Sequence, residues 1–137
     1  MRLELKQAVK AFMWLMISLV VIFIIITIKI TIDQSDANKK ADIIADELVS
    51  FVVDNNYDEI AQLSYVENKE EVTAEDVKKY LQHMDNWSLI SNSKKEDIDV
   101  TVSGDATWQM NIDMWVETDY ICFTLKKKND EWKIVIR

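Results

Sequence analysis

The sequence contains very little cysteine, histidine or glycine, and it contains no proline. Its 137 residues include one Cys, one His and one Gly. A lone Cys122 cannot form an intramolecular disulfide framework, and a lone His83 cannot build a multi-histidine metal site. A lone Gly104 excludes the glycine-rich loops that cradle phosphate groups. We therefore expect no catalytic motif, no cofactor and no metal site.

Charge is distributed unevenly along the chain. Residues 1–32 hold four basic groups and one acidic group, a net charge of 4 − 1 = +3, and residues 33–137 hold the other 12 basic and 23 acidic groups, a net of 12 − 23 = −11. The two values sum to the overall −8. The acidic larger part argues against binding to a nucleic-acid backbone.

An apolar run of 18 residues without a charge extends from residue 11 to residue 28. As a helix it would be roughly 27 Å long, close to the ~30 Å hydrocarbon core of a membrane. Lys10 and Lys29 flank the run, the span extends to Ile32 if the Lys29 side chain reaches the headgroups, and Trp14 suits the membrane interface. The run has no polar face, unlike a core helix, and it is longer than the apolar region of a cleaved signal peptide. It predicts a transmembrane signal anchor.

The orientation of this anchor depends on the flanking segments. Three basic residues precede the span and three follow it within about 15 residues, namely Arg2, Lys6 and Lys10 before it and Lys29, Lys39 and Lys40 after it. The short N-terminal tail and the acidic C-terminal part favour an inside N-terminus. The sequence therefore predicts a cytoplasmic tail (1–10), a transmembrane anchor (11–32) that contacts lipid, and an extracytoplasmic domain (33–137) on a bacterial cell membrane.

Helical spacing dominates the first half of the extracytoplasmic domain. Apolar residues recur every three or four positions from Ser35 to Asp54, with Ser35 or Asp36 as the expected cap. A second, short helix is expected over 57–64. Thr73 and Asp76 form a capping-box pattern that opens a third helix over 73–84.

The periodicity changes to two after Asn86, which indicates strands. Residues 87–90 are a possible short strand, and longer strands are expected over 98–102, 106–116, 120–127 and 132–137. On this alternation Trp108 and Trp132 face inward. The fold class is therefore α+β, with about three helices packed on a curved antiparallel sheet of about four strands.

Three segments of the domain resemble a known fold family. ADELVSFVVDNNYDEIAQLS (45–64), TAEDVKKYLQHM (73–84) and FTLKKKNDEWKIVIR (123–137) are similar to the helices and the closing hairpin of nuclear-transport-factor-2-like (SnoaL-like) domains. With its N-terminal anchor, the chain resembles the bitopic assembly proteins of type IV secretion and conjugation machines. The resemblance implies a cone-shaped extracytoplasmic domain that makes protein contacts.

Enzymes of this fold place a carboxylate base and a Tyr or Asp acid in the cone, so the residues to weigh are Asp99, Asp113, Tyr80 and Tyr120. The strand period puts both Asp residues on the solvated face, which argues against an enzyme. We expect His83 to be an ordinary exposed side chain. Cys122, which lies between apolar neighbours, is expected to be a small buried hydrophobe.

Trp115 and the lysines Lys126, Lys127 and Lys128 are the candidate partner contacts. The alternation places Trp115 on the outward face, where an aromatic side chain can anchor a partner. The three lysines could bind an acidic partner, or they could protect an edge hairpin from pairing with other strands.

Together these features favour a single-pass, membrane-anchored protein-interaction domain, a scaffold or accessory component of a cell-envelope assembly such as a conjugation or secretion channel. The expected partners are other envelope proteins and a possible second copy of the chain. Three alternatives stay open: a ligand-binding or sensor module that uses the cone cavity, a small isomerase or dehydratase, and an immunity-type protein.

Overall fold

The computed structural model describes residues 2–137 and has two compact units, the first ending at Ser35 and the second comprising Asp36–Arg137. The elements in chain order are α1 (Arg2–Val53), α2 (Tyr57–Gln62), β1 (Ser64–Val66), α3 (Ala74–Gln82), α4 (Trp87–Ser91), a 3-10 turn (Lys95–Asp97), β2 (Asp99–Asp105), β3 (Gln109–Val116), β4 (Asp119–Lys128) and β5 (Glu131–Ile136). The predicted α+β class is confirmed. The four α-helices and five strands of residues 2–137 roughly match the three helices and four strands expected.

Helix α1 is long and apolar enough near the N-terminus to span a membrane. Its 52 residues include no Gly and no Pro, the two residues that most readily end a helix. The prediction that a new helix begins at Ser35 or Asp36 is therefore wrong, because α1 continues through these positions. Within the apolar run, the hydroxyls of Ser18 and Thr27 donate hydrogen bonds to carbonyl oxygens four residues earlier, which satisfies these polar groups inside the helix.

The part of α1 in the second unit has one buried stripe. Its buried residues are spaced as one helix face requires, and they are Ala37, Ala41, Ala45, Leu48, Val49 and Val52. The helical pattern predicted over this segment is confirmed. These residues belong to the hydrophobic core of the second unit.

The strands form a single mixed sheet in the order β1-β5-β4-β3-β2. Strands β2 to β5 are an antiparallel meander, as predicted. Strand β1 pairs in parallel with β5 from Ser64–Ile134 to Val66–Ile136, and the sequence did not predict it. Three residues are too few for a period-two pattern to appear.

The prediction of a possible strand over 87–90 is wrong, because this segment forms α4. Asn86 adopts a left-handed conformation with φ of 67°, and its carbonyl then accepts a hydrogen bond from the Ile90 N–H. The buried Trp87 and Ile90 pack one face of this short helix into the core.

The sheet contributes one apolar face to the core. The fully buried side chains of β3 and β4 on this face are Met110, Ile112, Met114, Phe123 and Leu125. Helix α3 adds Val77 and Leu81, and β5 adds Trp132, whose predicted inward position is confirmed. Helices and sheet therefore share one core.

Trp108 is not in this core, contrary to the prediction, and 74% of it is exposed. It lies in the turn between β2 and β3, because the strand starts at Gln109 rather than at Ala106. The Asp105 carboxylate accepts hydrogen bonds from the Thr107 backbone N–H and hydroxyl. This turn breaks the alternation that the sequence suggested.

The predicted capping box of α3 is confirmed. The Asp76 N–H donates to the Thr73 hydroxyl, and the Asp76 carboxylate accepts from the Thr73 N–H and from Lys69. The bond to Lys69 is the main reason that the pKa of Asp76 is lowered to about 2, and the bonds to Thr73 add to it. The Asp76–Thr73 and Asp76–Lys69 hydrogen bonds connect the loop before α3 to the first turn of that helix.

Gly104 occupies a position that only glycine tolerates. Its φ is +123°, and a Cβ built on it would meet the Gln109 carbonyl oxygen and lie 2.7 Å from the Met110 Cα. The close approach comes from the β2–β3 pairing, in which Gly104 lies opposite Met110. The single glycine is therefore needed for the end of this hairpin.

We predict that Gly104→Ala lowers the free energy of unfolding of the second unit by about 1–3 kcal/mol, because alanine there is strained and displaces the β3 backbone. Thermal unfolding of the full chain in detergent, followed by circular dichroism, measures this. Ser103→Ala is the matched control on the exposed neighbour and should change stability by less than about 0.5 kcal/mol. Equal melting of the two variants would contradict the prediction.

Candidate protein-interaction surface

The face of β2, β3 and β4 opposite the core is polar and accessible, and we name it the outer sheet face. Its residues are exposed or half-buried, and they are Asp99, Thr101 and Ser103 of β2, Asn111, Asp113 and Trp115 of β3, and Tyr120, Cys122 and Thr124 of β4. The antiparallel register aligns them in rows across the strands. One row runs from Asp99 through Trp115 to Tyr120, and the next from Thr101 through Asp113 to Cys122.

Trp115 is half-buried and held in place by two neighbours. Its ring stacks on Tyr120 with a centroid distance of 4.4 Å. Its indole N–H donates a hydrogen bond of 3.2 Å to the Thr101 hydroxyl. A partner that bound this ring would meet a side chain already ordered, which reduces the entropy lost on binding.

The carboxylates weighed as catalytic groups lie outside the core. Asp113 and Asp99 are on the outer sheet face, as the strand period predicted, and Tyr80 is half-buried on α3. Burial is the main cause that raises the pKa of Tyr80. Among residues 2–137, no Asp, Glu, His, Lys or Arg is buried in the core, and Ser64, which is buried, donates its hydroxyl hydrogen bond to the Ile60 carbonyl.

The three candidate lysines lie at the far end of β4 from Tyr120, roughly 20 Å away at ~3.3 Å per strand residue. Lys126 is opposite Lys133, while the ammonium groups of Lys127 and Lys128 lie 5.6 and 4.9 Å from the ring centroids of Trp132 and Tyr65. The structure therefore does not bring the lysines together with Trp115.

The interpretation of these lysines as edge protection stays a prediction. Strand β4 lies between β3 and β5, but its pairing with β3 ends at Leu125, so the lysines pair only with β5. They belong to the end of the β4–β5 hairpin, where the cation–π contacts orient two of them. They lie at the same end of the sheet as the β2–β3 turn, two strands away from Asp105.

Trp108 is the exposed aromatic residue that the sequence pattern missed. It lies in the β2–β3 turn, where its backbone N–H donates a hydrogen bond to the Asp105 carbonyl. The Asp105-Ala106-Thr107 segment was the available signal, because an Asp that bonds its backbone two residues on is typical of a turn. Each end of β3 therefore has an accessible tryptophan nearby, Trp115 on the outer sheet face at one end and Trp108 in the turn before the other.

A shallow apolar groove of about 290 Å³ lies elsewhere on the second unit. Ile43 and Ile44 of α1, Leu63 and Trp132 line it, with charged residues at its rim. The Trp132 indole N–H is buried without a hydrogen-bond partner. This volume is at the lower limit of small-molecule sites, which are usually about 300–1,000 Å³.

The three predicted anchor residues all lie in α1. Lys10, Trp14 and Lys29 are exposed there, as is the whole apolar run between the two lysines. Among residues 2–137, no group of three or more His, Cys, Asp or Glu side chains could hold a metal ion. His83 is exposed, as expected.

Cys122 is exposed on the outer sheet face, so the expectation of a small buried hydrophobe is wrong. The period of two puts Ile121 and Phe123 in the core and turns Cys122 away from it. Its thiol has a pKa raised to about 12, first by partial removal from water and then by hydrogen bonding to, and the negative charge of, Asp113. Asp113 lies directly opposite it in the sheet.

We predict that the Cys122 thiol reacts with iodoacetamide at pH 8 on the order of a thousandfold more slowly in the folded chain than in urea, because the thiolate is the reactive form. Asp113→Asn removes the negative charge and should accelerate alkylation, by about tenfold for each unit that the pKa falls. Asp99→Asn, on the same face but one row away, is the control and should leave the rate unchanged. Mass spectrometry of timed samples measures the rates, and equal rates in both variants would contradict the assignment.

Comparison with profiles of protein families, with curated proteins and with solved structures finds no match to this chain.

Proposed function

We propose that this chain is a single-pass membrane protein whose extracytoplasmic domain binds other envelope proteins. In its most concrete form it is a scaffold or accessory component of a bacterial cell-envelope assembly, such as a conjugation or secretion channel. The domain is of the nuclear-transport-factor-2-like kind, and it is anchored by residues 11–32.

The anchor is supported by the apolar part of α1, whose residues are exposed around the whole helix. In water this surface would be costly, since each buried apolar Å² contributes about 25 cal/mol. Trp14 and the lysines at the two ends suit the membrane interfaces, and the short N-terminal tail is compatible with an inside N-terminus. The order of helices before an antiparallel meander supports the proposed fold family.

The stacked and hydrogen-bonded Trp115 is the observation that carries the interaction function. Aromatic side chains that are ordered before binding contribute most at protein interfaces. Tyr120, nearly half exposed, extends the same aromatic surface, and polar groups of Thr101 and Asp113 border it. This composition, aromatic side chains bordered by polar groups, is typical of interfaces.

The alternatives that need a cone cavity are less well supported. The space between helices and sheet is occupied by side chains with no exposed surface, among them Phe123, Met110 and Met114. A ligand or substrate in the cone would have to displace them. The outer sheet face requires no such rearrangement.

The proposed topology is testable by labelling with an impermeant maleimide. In a Cys122→Ala background, we expect Arg137→Cys to be labelled in intact spheroplasts, because the C-terminus is outside. Leu3→Cys should be labelled only after lysis. The opposite pattern would overturn the orientation, and Leu3→Cys labelling in lysed cells controls for the reactivity of that site.

The interaction function is testable by purifying the tagged full-length chain from its native membrane in mild detergent. We expect it to retain at least one other envelope protein, and Trp115→Ala to lower the affinity for this partner by about 30-fold, the effect of losing a 2 kcal/mol anchor, so that less partner is retained. Quantitative mass spectrometry measures the amount of partner retained, and light scattering measures the mass of the purified complex.

Leu89→Ala is the matched control, because Leu89 is an apolar residue of α4 that is 42% exposed and lies outside the outer sheet face. It should keep the partner. A wild-type chain that purifies alone and monomeric, or a Trp115→Ala variant that retains the partner fully, would contradict the proposal.

A further inference from the structure

Strand β2 is one edge of the sheet, and no strand among residues 2–137 pairs with its outer side. Its seven residues pair with β3 from Asp99–Trp115 to Asp105–Gln109 without a slip in register. In an edge strand, every second residue directs its backbone N–H and C=O away from the sheet. Residues 99–103 form the regular part of this edge, about 16 Å long at ~3.3 Å per residue, which is enough to pair with a partner strand, and Gly104, with φ of +123°, departs from the extended conformation.

This edge has only part of the usual protection against pairing, namely the charges of Asp99 and Asp105 at its ends. Edge strands are typically kept apart by charged side chains, above all lysine, or by proline, a bulge or a very short length. Residues 99–105 include no Lys and no Pro, and the chain has no Pro at all. The opposite edge, β1, is only three residues long, so the two edges of the sheet differ.

The core-facing side of β2 is incompletely covered. Val100 and Val102 pack against the hydrophobic core but remain half-buried. A strand added beside β2 would place its own alternate residues next to these valines and bury them further. The added strand should therefore carry apolar residues at alternate positions.

Charge selects what can occupy this edge. Asp99 and Asp105 stand at the two ends of β2, and Glu96, Asp97 and Glu117 line a depression beside Asp99. All five are exposed acidic residues, and they outnumber the two exposed lysines of the same segment, Lys94 and Lys95, of which Lys95 donates to the Ser50 hydroxyl. A strand with basic residues at its ends would face opposite charges there, while an acidic strand would be repelled.

A second copy of the chain fits this edge poorly. Two β2 strands paired antiparallel over their full length would put Asp99 of each copy opposite Asp105 of the other. Like charges directly opposite destabilise a strand pair. The net charge of −11 on residues 33–137 adds repulsion between copies.

We propose that β2 binds an extended, basic segment of a partner protein as a sixth strand of the sheet, with its apolar residues beside Val100 and Val102. This inference rests on the proposed interaction function and names the partner's recognition element. The partner's backbone supplies hydrogen bonds, and its terminal Lys or Arg residues supply selectivity. Trp115, which donates a hydrogen bond to Thr101 of β2, lies on the strand next to this edge.

The probe is the acetylated and amidated heptapeptide Lys-Val-Thr-Val-Thr-Val-Lys, added to the full-length chain in zwitterionic phosphocholine nanodiscs. In the antiparallel register its valines lie on the same face as Val100 and Val102, and its lysines lie opposite Asp105 and Asp99. Hydrogen exchange followed by mass spectrometry should show β2 amides protected at least about fivefold at millimolar peptide. The same peptide with Glu at both ends should protect at least about fivefold less at low salt.

N-methylation of the peptide separates edge pairing from other modes of binding. Only one set of alternate backbone nitrogens of an added strand faces β2. Methyl groups on the nitrogens that face β2 should abolish the protection of the β2 amides. Methyl groups on the nitrogens that face away from β2 should leave this protection unchanged. Equal protection by both methylated peptides, or no protection by the unmethylated one, would overturn the proposal.

A charge reversal in the protein completes the test. Asp99→Lys should weaken binding of the peptide with Lys ends and strengthen binding of the peptide with Glu ends. Asp42→Lys, on the exposed side of α1, should change the binding of neither peptide. An unchanged preference in Asp99→Lys would contradict recognition by charge at this edge. If the native chain retains a Trp115-dependent partner but the peptides do not bind β2, the edge inference alone fails. If no partner is retained at all, the proposed function fails.

Discussion

The antiparallel pairing of β3 with β4 is the constraint on which the second unit depends. From Met110–Leu125 to Val116–Asp119, each pair places both of its residues on the same side of the sheet. Apolar pairs such as Ile112–Phe123 therefore form the core, and the pairs between them, including Trp115–Tyr120, form the outer sheet face. A slip of one residue would exchange the two faces, so core stability and surface composition are fixed by the same register.

Scarcity of glycine and proline has two structural consequences. Helix α1 has no residue that would break it before Val53. Turns elsewhere must use other residues in left-handed conformations, mostly Asn and Asp, which tolerate them best. The positive φ angles are found at Asn55, Asn68, Asn86, Glu117, Asn129 and Asp130. The one glycine is kept for the position where the opposite backbone leaves no space for a Cβ.

Local patterns predicted much of the fold, and long-range pairing explains most of what they missed. The apolar run, the capping box at Thr73 and the alternation of β3 are local signals, and all three correspond to structure. Strand β1 depends on β5, about 70 residues later, and no local pattern marks it. Trp108 was predicted to be buried because the strand alternation was extended through what is a turn. Cys122 was predicted to be buried because its neighbours are apolar, although the alternation of β4 turns it outward. The site was predicted only as single residues, since the neighbours of Trp115 come from two other strands.

Acidic and basic groups lie on different strands of one sheet. Asp99 is at one end of β2, and Asp105 is at the other end, which is also the end of the sheet that holds Lys126 to Lys128, two strands or about 10 Å away. A partner that carries a basic segment would be attracted to β2, most strongly around Asp99, which is far from these lysines. Backbone pairing is nearly independent of sequence, so charge must supply the selectivity that hydrogen bonds along an open edge do not. An open edge is an aggregation hazard, and the acidic ends of β2, together with the net negative charge, are a physical means of restricting pairing to basic partners.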